Sequence, residues 1–250
     1  MEKKEIIQYN KIMYFRRTNY FFQIVSAQLG VGLMITLTAL AIVCYAEGYR
    51  FNYRNLKFVK TGIIALQSQP KDVAVYLNGK IKSKKTNFST AVLSGTYDLL
   101  IKKEGYVDWS LRAKVEPELV SSYKNIILFK TNPVTSELTD RDKIDQIWLP
   151  TDVLARNSSD TLVYSNHEIW IGTNLVARFS NQVYRAIWFP GGTHIVYQSG
   201  KEIRVIERAG TNDTLLVTLS EDKPSTFIVG SRGQELYFID SGQYRIATIR

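Results

Sequence analysis

Residues 24–46 contain no charged side chain, and this apolar stretch constrains the fold more than any other feature of the chain. About 20 apolar residues let a helix cross the ~30 Å hydrocarbon layer of a membrane. Aromatic rings suit the headgroup region of a membrane, and they flank the stretch at both ends. They are Tyr20, Phe21 and Phe22 before it, and Tyr45, Tyr49, Phe51 and Tyr53 after it. We therefore predict a transmembrane helix over residues 23–46.

A cleaved signal peptide is the main alternative, because it also places an apolar segment near the N-terminus. Its apolar region is only about 7–15 residues long, which is shorter than this stretch. Cys44 and Ala46 do resemble a small-x-small cleavage site before Glu47. A lipoprotein signal would need a small residue where Val43 stands. The length favours an anchor that is not cleaved.

Basic residues lie on both sides of the predicted anchor. Residues 1–22 carry five Lys or Arg against two acids, and residues 47–61 carry four against one. The positive-inside rule therefore gives nearly balanced counts. Because residues 1–22 are too few to form a domain, we predict that they are a short cytoplasmic tail. Residues 47–60 are then a juxtamembrane linker to domains outside the membrane.

The net charge of +9 is concentrated in the first half of the chain. Residues 62–130 carry eleven basic residues against six acids, whereas residues 131–250 carry twelve against fourteen. This distribution favours a protein held beside an anionic surface, and it predicts no nucleic-acid partner. With one cysteine and two histidines, the chain has no intramolecular disulfide and no multi-histidine metal centre, so we predict no cofactor and no metal.

After the linker, the apolar residues change to the period-two pattern of half-buried strands. Val73, Val75 and Leu77 occupy every second position, and Asn78-Gly79 follows them. Asn-Gly between two such runs is typical of a type I′ hairpin, because both turn residues need positive φ. Residues 61–130 are therefore predicted to form a small antiparallel β-sandwich.

Four blocks of this region occur in an order that points to a family. They are residues 63–70, 74–80, 93–99 and 102–109, and the last two contain the patterns G-x-Y and K-x-G-Y-x-x-W. The region resembles a PEGA domain, although only Pro70 of the name-giving tetrad is kept. The resemblance implies an extracytoplasmic β-sandwich of bacterial and archaeal envelope proteins, which serves as a spacer or binding module and brings no catalytic residues.

Four lysines form the densest charge cluster of the chain: Lys80, Lys82, Lys84 and Lys85. One interpretation is electrostatic contact with lipid headgroups or with an anionic wall polymer. The other is a solvated loop whose charges prevent edge-to-edge pairing of strands. Both interpretations stay open at the level of sequence.

Residues 131–250 contain an imperfect repeat. Ile-Trp-Leu-Pro at 147–150 returns as Ile-Trp-Phe-Pro at 187–190, which makes Trp148, Pro150, Trp188 and Pro190 structural repeat positions. A period of about 40 residues with short strands is typical of propeller blades. Residues 188–197 resemble the W-S-P-D-G-x-x-I-x-Y box of TolB-type propellers. Because about three blades fit, we predict an incomplete propeller-like module.

Together these patterns predict a mainly β protein with one N-terminal transmembrane helix, a PEGA-like sandwich and propeller-like repeats. We expect a single-pass, non-catalytic protein of the cell membrane, because no nucleophile, base and orienting group occur in a known constellation. Its expected partners are the lipid bilayer, other proteins or a second copy of itself, and a cell-wall polysaccharide. The alternative is a receptor-like sensor subunit that acts through a signalling partner.

Overall fold

A computed structural model describes residues 2–53, 56–147 and 161–250. Over these residues the chain is mainly β, with nineteen strands in five small antiparallel sheets. Two helices accompany them: α1 at Glu2–Ala46 and α2 at Arg141–Ile147. The predicted fold class, mainly β with one N-terminal apolar helix, is confirmed.

Helix α1 contains the predicted apolar segment as Gln23–Ala46, and none of its most apolar window is buried within the protein. At about 1.5 Å per residue this segment is ~36 Å long, which is enough to cross a membrane. The helix ends where the N–H of Glu47 donates to the carbonyl of Val43 at 2.9 Å. Gly48 follows with a φ of +81°, the left-handed conformation that commonly terminates helices.

Contacts divide the chain into two compact units. The first runs to Ile63 and includes Ala91–Ser94 and Glu116–Leu119, and the remaining residues form the second. In the first unit, β1 (Tyr49–Asn52) pairs antiparallel with the start of β2 (Lys57–Gln69), with Tyr49 opposite Lys60. The segment predicted as a linker is therefore largely a β-hairpin.

The PEGA-like region is built from short strands, and burial alternates along β3 and β7. They are β3 (Ala74–Leu77), β4 (Lys80–Ser83), β5 (Phe88–Leu93), β6 (Gly95–Lys102), β7 (Trp109–Val115) and β8 (Val120–Ile127). One sheet has the order β4-β3-β6-β7, and β5 and β8 both pair with β2. Asn78 and Gly79 have φ values of +48° and +75°, as the hairpin prediction requires.

Residues 131–250 add three sheets. Their strands are β9 (Val134–Glu137), β10 (Leu162–Ser165), β11 (Glu168–Ile171), β12 (Asn174–Arg178), β13 (Val183–Trp188), β14 (His194–Ser199), β15 (Glu202–Glu207), β16 (Thr214–Thr218), β17 (Phe227–Val229), β18 (Glu235–Asp240) and β19 (Gln243–Thr248). Each sheet follows chain order, as β10-β11-β12, β13-β14-β15-β16 and β17-β18-β19, and β9 completes the last by pairing with β19.

The middle sheet of these three is buried on both faces. Successive residues of β14 alternate between two apolar clusters, so that Ile195 and Tyr197 pack toward the first sheet and Val196 packs toward the third. All six residues of β14 are buried. Trp188 belongs to the cluster on the side of the first sheet, and Pro190 lies half-buried in the turn that follows β13. Trp148 and Pro150 lie outside the described residues.

Contacts cross the predicted domain boundary near residue 131. Phe129 belongs to the apolar cluster shared by the second and third sheets, and its ring meets that of Phe189 edge-on at 5.7 Å. The N–H of Lys130 donates to the carbonyl of Ile249 at 3.0 Å. Whether residues 61–130 fold independently stays a prediction, and these contacts favour coupling of the two regions.

Candidate membrane-proximal site

The hairpin of β1 and β2 begins at Tyr49, three residues after α1 ends, and Arg50 ties it to the helix. The Nη1 atom of Arg50 donates to the carbonyls of Tyr45 and Tyr49, both at 3.0 Å. The guanidinium also lies 3.7 Å above the Tyr45 ring, in cation–π geometry. Arg50 therefore satisfies a carbonyl at the helix end, where a cation also complements the helix dipole.

Aromatic rings of the hairpin are exposed rather than packed into a core. Tyr53 is 84% exposed and Phe58 is 68% exposed. Phe51 meets both rings edge-on, with centroids 5.2 Å apart in each pair. Leu56 in the same hairpin is 74% exposed. Contiguous exposed apolar groups of this kind are typical of surfaces that bind another protein, a ligand or a membrane.

These rings continue the apolar surface of the helix. A groove of about 580 Å³ is lined almost entirely by apolar side chains. From α1 it takes Leu37, Leu40, Ala41, Cys44 and Tyr45, and from the hairpin Tyr49, Arg50, Phe51 and Phe58. The apolar surface therefore extends beyond the apolar segment of α1 and onto the first two strands.

Basic groups border the same hairpin. Lys57 is exposed, and Lys60 lies 5.1 Å from the centre of the Tyr49 ring. Lys60 also forms an ion pair with Glu118, and this hydrogen bond raises the pKa of the Lys60 ammonium. Aromatic rings beside cations suit the interface between hydrocarbon and anionic headgroups.

The four predicted lysines lie together on the PEGA-like region. Lys80 and Lys82 are on β4, an outer strand of its sheet, and Lys84 and Lys85 follow in the next turn. The Ser83 hydroxyl fixes that turn by donating to the Lys85 carbonyl at 2.7 Å. All four lysines are exposed, and none forms an ion pair with a described residue. This placement is compatible with both interpretations of the cluster, and contact with an anionic surface stays a prediction.

Hydrogen bonds join β7 to the end of β15 and to the turn that follows it. The indole N–H of Trp109, which is buried, donates to Glu207 Oε1 at 2.6 Å. The other carboxylate oxygen of Glu207 accepts from Thr211 at 2.5 Å and from Asn212 at 3.0 Å. Asn212 also accepts from the N–H of Ser110 at 3.1 Å. The tryptophan of the K-x-G-Y-x-x-W pattern is thus bound to the repeat region.

The comparison with known families supports the predicted PEGA-like region. Residues 61–125 match the PEGA domain. The match begins in β2 and ends in β8, so it covers about a quarter of the chain and describes that region alone. The resemblance of the later repeats to TolB-type propellers has no support from a family match. No curated protein matches the chain.

Sequence reasoning identified the aromatic residues after the apolar segment but missed their arrangement in a hairpin. Alternation at Tyr49, Phe51 and Tyr53 was the available indication of a strand. No pattern in the sequence indicated the Trp109–Glu207 contact, because the two residues are 98 positions apart. Among the described residues, no group of three or more His, Cys, Asp or Glu is placed to hold a metal ion.

Proposed function

We propose that this chain is a single-pass membrane protein of the cell envelope, with its N-terminus in the cytoplasm and its β-regions outside. The observation that carries the proposal is the Gln23–Ala46 segment, whose most apolar window has no part buried in the protein. Leu29 and Met34 are each about 70% exposed. Leaving such a surface in water is unfavourable, whereas a bilayer covers all of it.

The hairpin supports the same proposal from the other side of the membrane boundary. Because β1 starts at Tyr49, three residues after Ala46, the exposed rings of Phe51 and Phe58 fall at the depth of the headgroups when α1 spans the bilayer. Lys57 then faces anionic headgroups. We propose that the hairpin is an interfacial element and that the groove beside it is filled by lipid.

The role outside the membrane is proposed to be non-catalytic. A PEGA domain brings no catalytic residues, and the exposed lysines of β4 offer a surface for a wall polymer or for acidic protein partners. A homo-oligomer through α1 fits the same role, because Gly30 and Gly32 leave open space beside the helix.

The test of topology uses the single cysteine of the chain. In a Cys44→Ala background, we would introduce Asn10→Cys in the tail or Lys82→Cys on β4. A membrane-impermeant maleimide added to intact cells should label Lys82→Cys, and should label Asn10→Cys only after permeabilisation. Labelling of Asn10→Cys alone in intact cells would reverse the orientation.

The intact mass of the mature protein distinguishes an anchor from a signal peptide. We expect residues 1–46 to be retained and the protein to resist extraction from membranes by alkaline carbonate. A mature chain that begins at or after Glu47 would instead show that α1 is cleaved, and the anchor proposal would be abandoned.

A further inference from the structure

A polar cleft of about 340 Å³ lies where the PEGA-like region meets the repeats. Two turns form one side of it: residues 189–193 between β13 and β14, and residues 230–233 between β17 and β18. Gln69 at the end of β2 and Asn125 in β8 form the other side. The volume is in the range of a small-molecule site.

Two arginines and no carboxylate side chain line this cleft. Arg250 donates to the side-chain oxygen of Gln69 and, at 3.4 Å, to the main-chain carbonyl of Arg232. Both of these acceptors are neutral. Arg232 is exposed, and its guanidinium has no partner among the described residues. Burial of the half-buried Arg250 guanidinium lowers its pKa, because burial disfavours the charged form.

The cleft is held by a packed scaffold rather than by flexible side chains. Gly233 has a φ of +64°, and a Cβ atom there would lie 2.5 Å from the Phe189 ring and 3.3 Å from Arg250 Nη1. Phe189 is fully buried and packs edge-on against Phe129. Only glycine permits this approach of the two turns, and the guanidinium of Arg250 is held beside them by its hydrogen bonds to Gln69 and to the Arg232 carbonyl.

We propose that this cleft binds an oxyanion group, a phosphate or a carboxylate, carried by a small ligand or by one unit of a polymer. Guanidinium groups present paired N–H donors that match both kinds of oxyanion. The Ser231 hydroxyl and the Asn125 amide, which also line the cleft, supply neutral donors beside the two charges. This proposal does not depend on membrane anchoring.

The test is calorimetric titration of the full chain in an uncharged maltoside detergent at constant ionic strength. Inorganic phosphate and glucuronate are the probes, so that the two oxyanions are compared directly. We expect saturable 1:1 binding of at least one of them. Arg232→Gln should weaken binding by about tenfold or more, because each guanidinium supplies charge-assisted hydrogen bonds. Arg250→Gln should do the same.

Arg112→Gln is the matched control, because Arg112 is exposed on β7 and lies outside the cleft. It removes the same charge and should leave affinity within about twofold. Ser231→Glu would place a carboxylate beside the two guanidinium groups, and should abolish binding while raising the melting temperature.

Three outcomes would overturn the proposal. They are no saturable binding of either probe, equal losses in Arg112→Gln and Arg232→Gln, and unchanged affinity in Ser231→Glu. If Arg250→Gln fails to fold, Arg232→Gln and Ser231→Glu decide the matter. Because the assay uses detergent, a cleaved signal sequence or reversed topology would leave its result unchanged.

Discussion

Truncation of Trp188 tests the stacking of the repeat sheets. The side chain is 7% exposed and lies among Ile169, Ile195 and Tyr197, so it packs against residues of two different sheets. A tryptophan buries about 200 Å² of surface, which at ~25 cal/mol per Å² corresponds to ~5 kcal/mol. Large-to-small core changes of this kind cost about 3–5 kcal/mol, and we expect Trp188→Ala to lie in that range.

Trp170 provides a control in the same part of the chain. It is on β11 between the buried Ile169 and Ile171, so its ring faces away from the second sheet. Its indole N–H donates to Glu168 at 2.9 Å, and the ring is only partly buried. We expect Trp170→Ala to cost about 1 kcal/mol, which is the typical loss for a point substitution that creates no large core cavity.

The assay is denaturant unfolding of the full-length chain in detergent, followed by circular dichroism of the β-structure. A loss for Trp188→Ala that is no larger than the loss for Trp170→Ala would refute the packing described between the first two sheets. The same curves test the boundary near residue 131. The sequence predicts that residues 61–130 remain folded when the repeats are lost, whereas one shared transition would show that the two regions unfold together.

Three further predictions address polar groups. Trp109→Phe removes the indole donor to Glu207 and should cost about 1.5–3 kcal/mol by the same unfolding assay, while Trp109→Phe in a Glu207→Gln background should cost less. Burial lowers the pKa of His194 to about 4, whereas the unfolded side chain titrates near 6.5, so the unfolded chain binds more protons between these values. Stability should therefore fall as the pH drops from about 6.5 toward 4, and unfolding at pH 7 and pH 5 should show a smaller difference in His194→Gln than in the wild type. The lysine cluster of β4 and the turn after it is tested with the double change Lys82→Glu and Lys84→Glu. If the cluster contacts an anionic surface, this change should lower co-sedimentation with an anionic polysaccharide, and Arg112→Glu is the single-charge control. Equal binding by all proteins would leave the solvated-edge interpretation.

Local patterns in the sequence predicted the local structure well. The absence of charge over residues 24–46 predicted the apolar helix, because about 20 consecutive apolar residues are typical of a helix long enough to cross a membrane. Asn78-Gly79 predicted its hairpin, since few other residues adopt two consecutive positive φ values. Both features depend on a few adjacent residues and need no knowledge of the rest of the fold.

Pairings between distant segments could not be predicted in this way. Strand β9 pairs with β19 although all four of its residues are exposed, so it carries no burial pattern that would reveal the partner. Its backbone covers the outer edge of β19, a role that many sequences can fill. Phe129 lies within residues 61–130, the predicted sandwich, yet its ring packs with the repeats.

The absence of a flexible linker after α1 has a mechanical consequence under the proposed topology. The helix ends at Ala46 and β1 begins at Tyr49, so Glu47 and Gly48 alone separate them. Two residues span at most about 7 Å, and Arg50 further ties the first strand to the helix end. Because β1 pairs directly with the start of β2, this first hairpin is joined to the helix by paired backbone rather than by a free tether. A rotation or displacement of α1 would therefore act directly on β1, whereas a Gly/Ser-rich linker of similar length would absorb it.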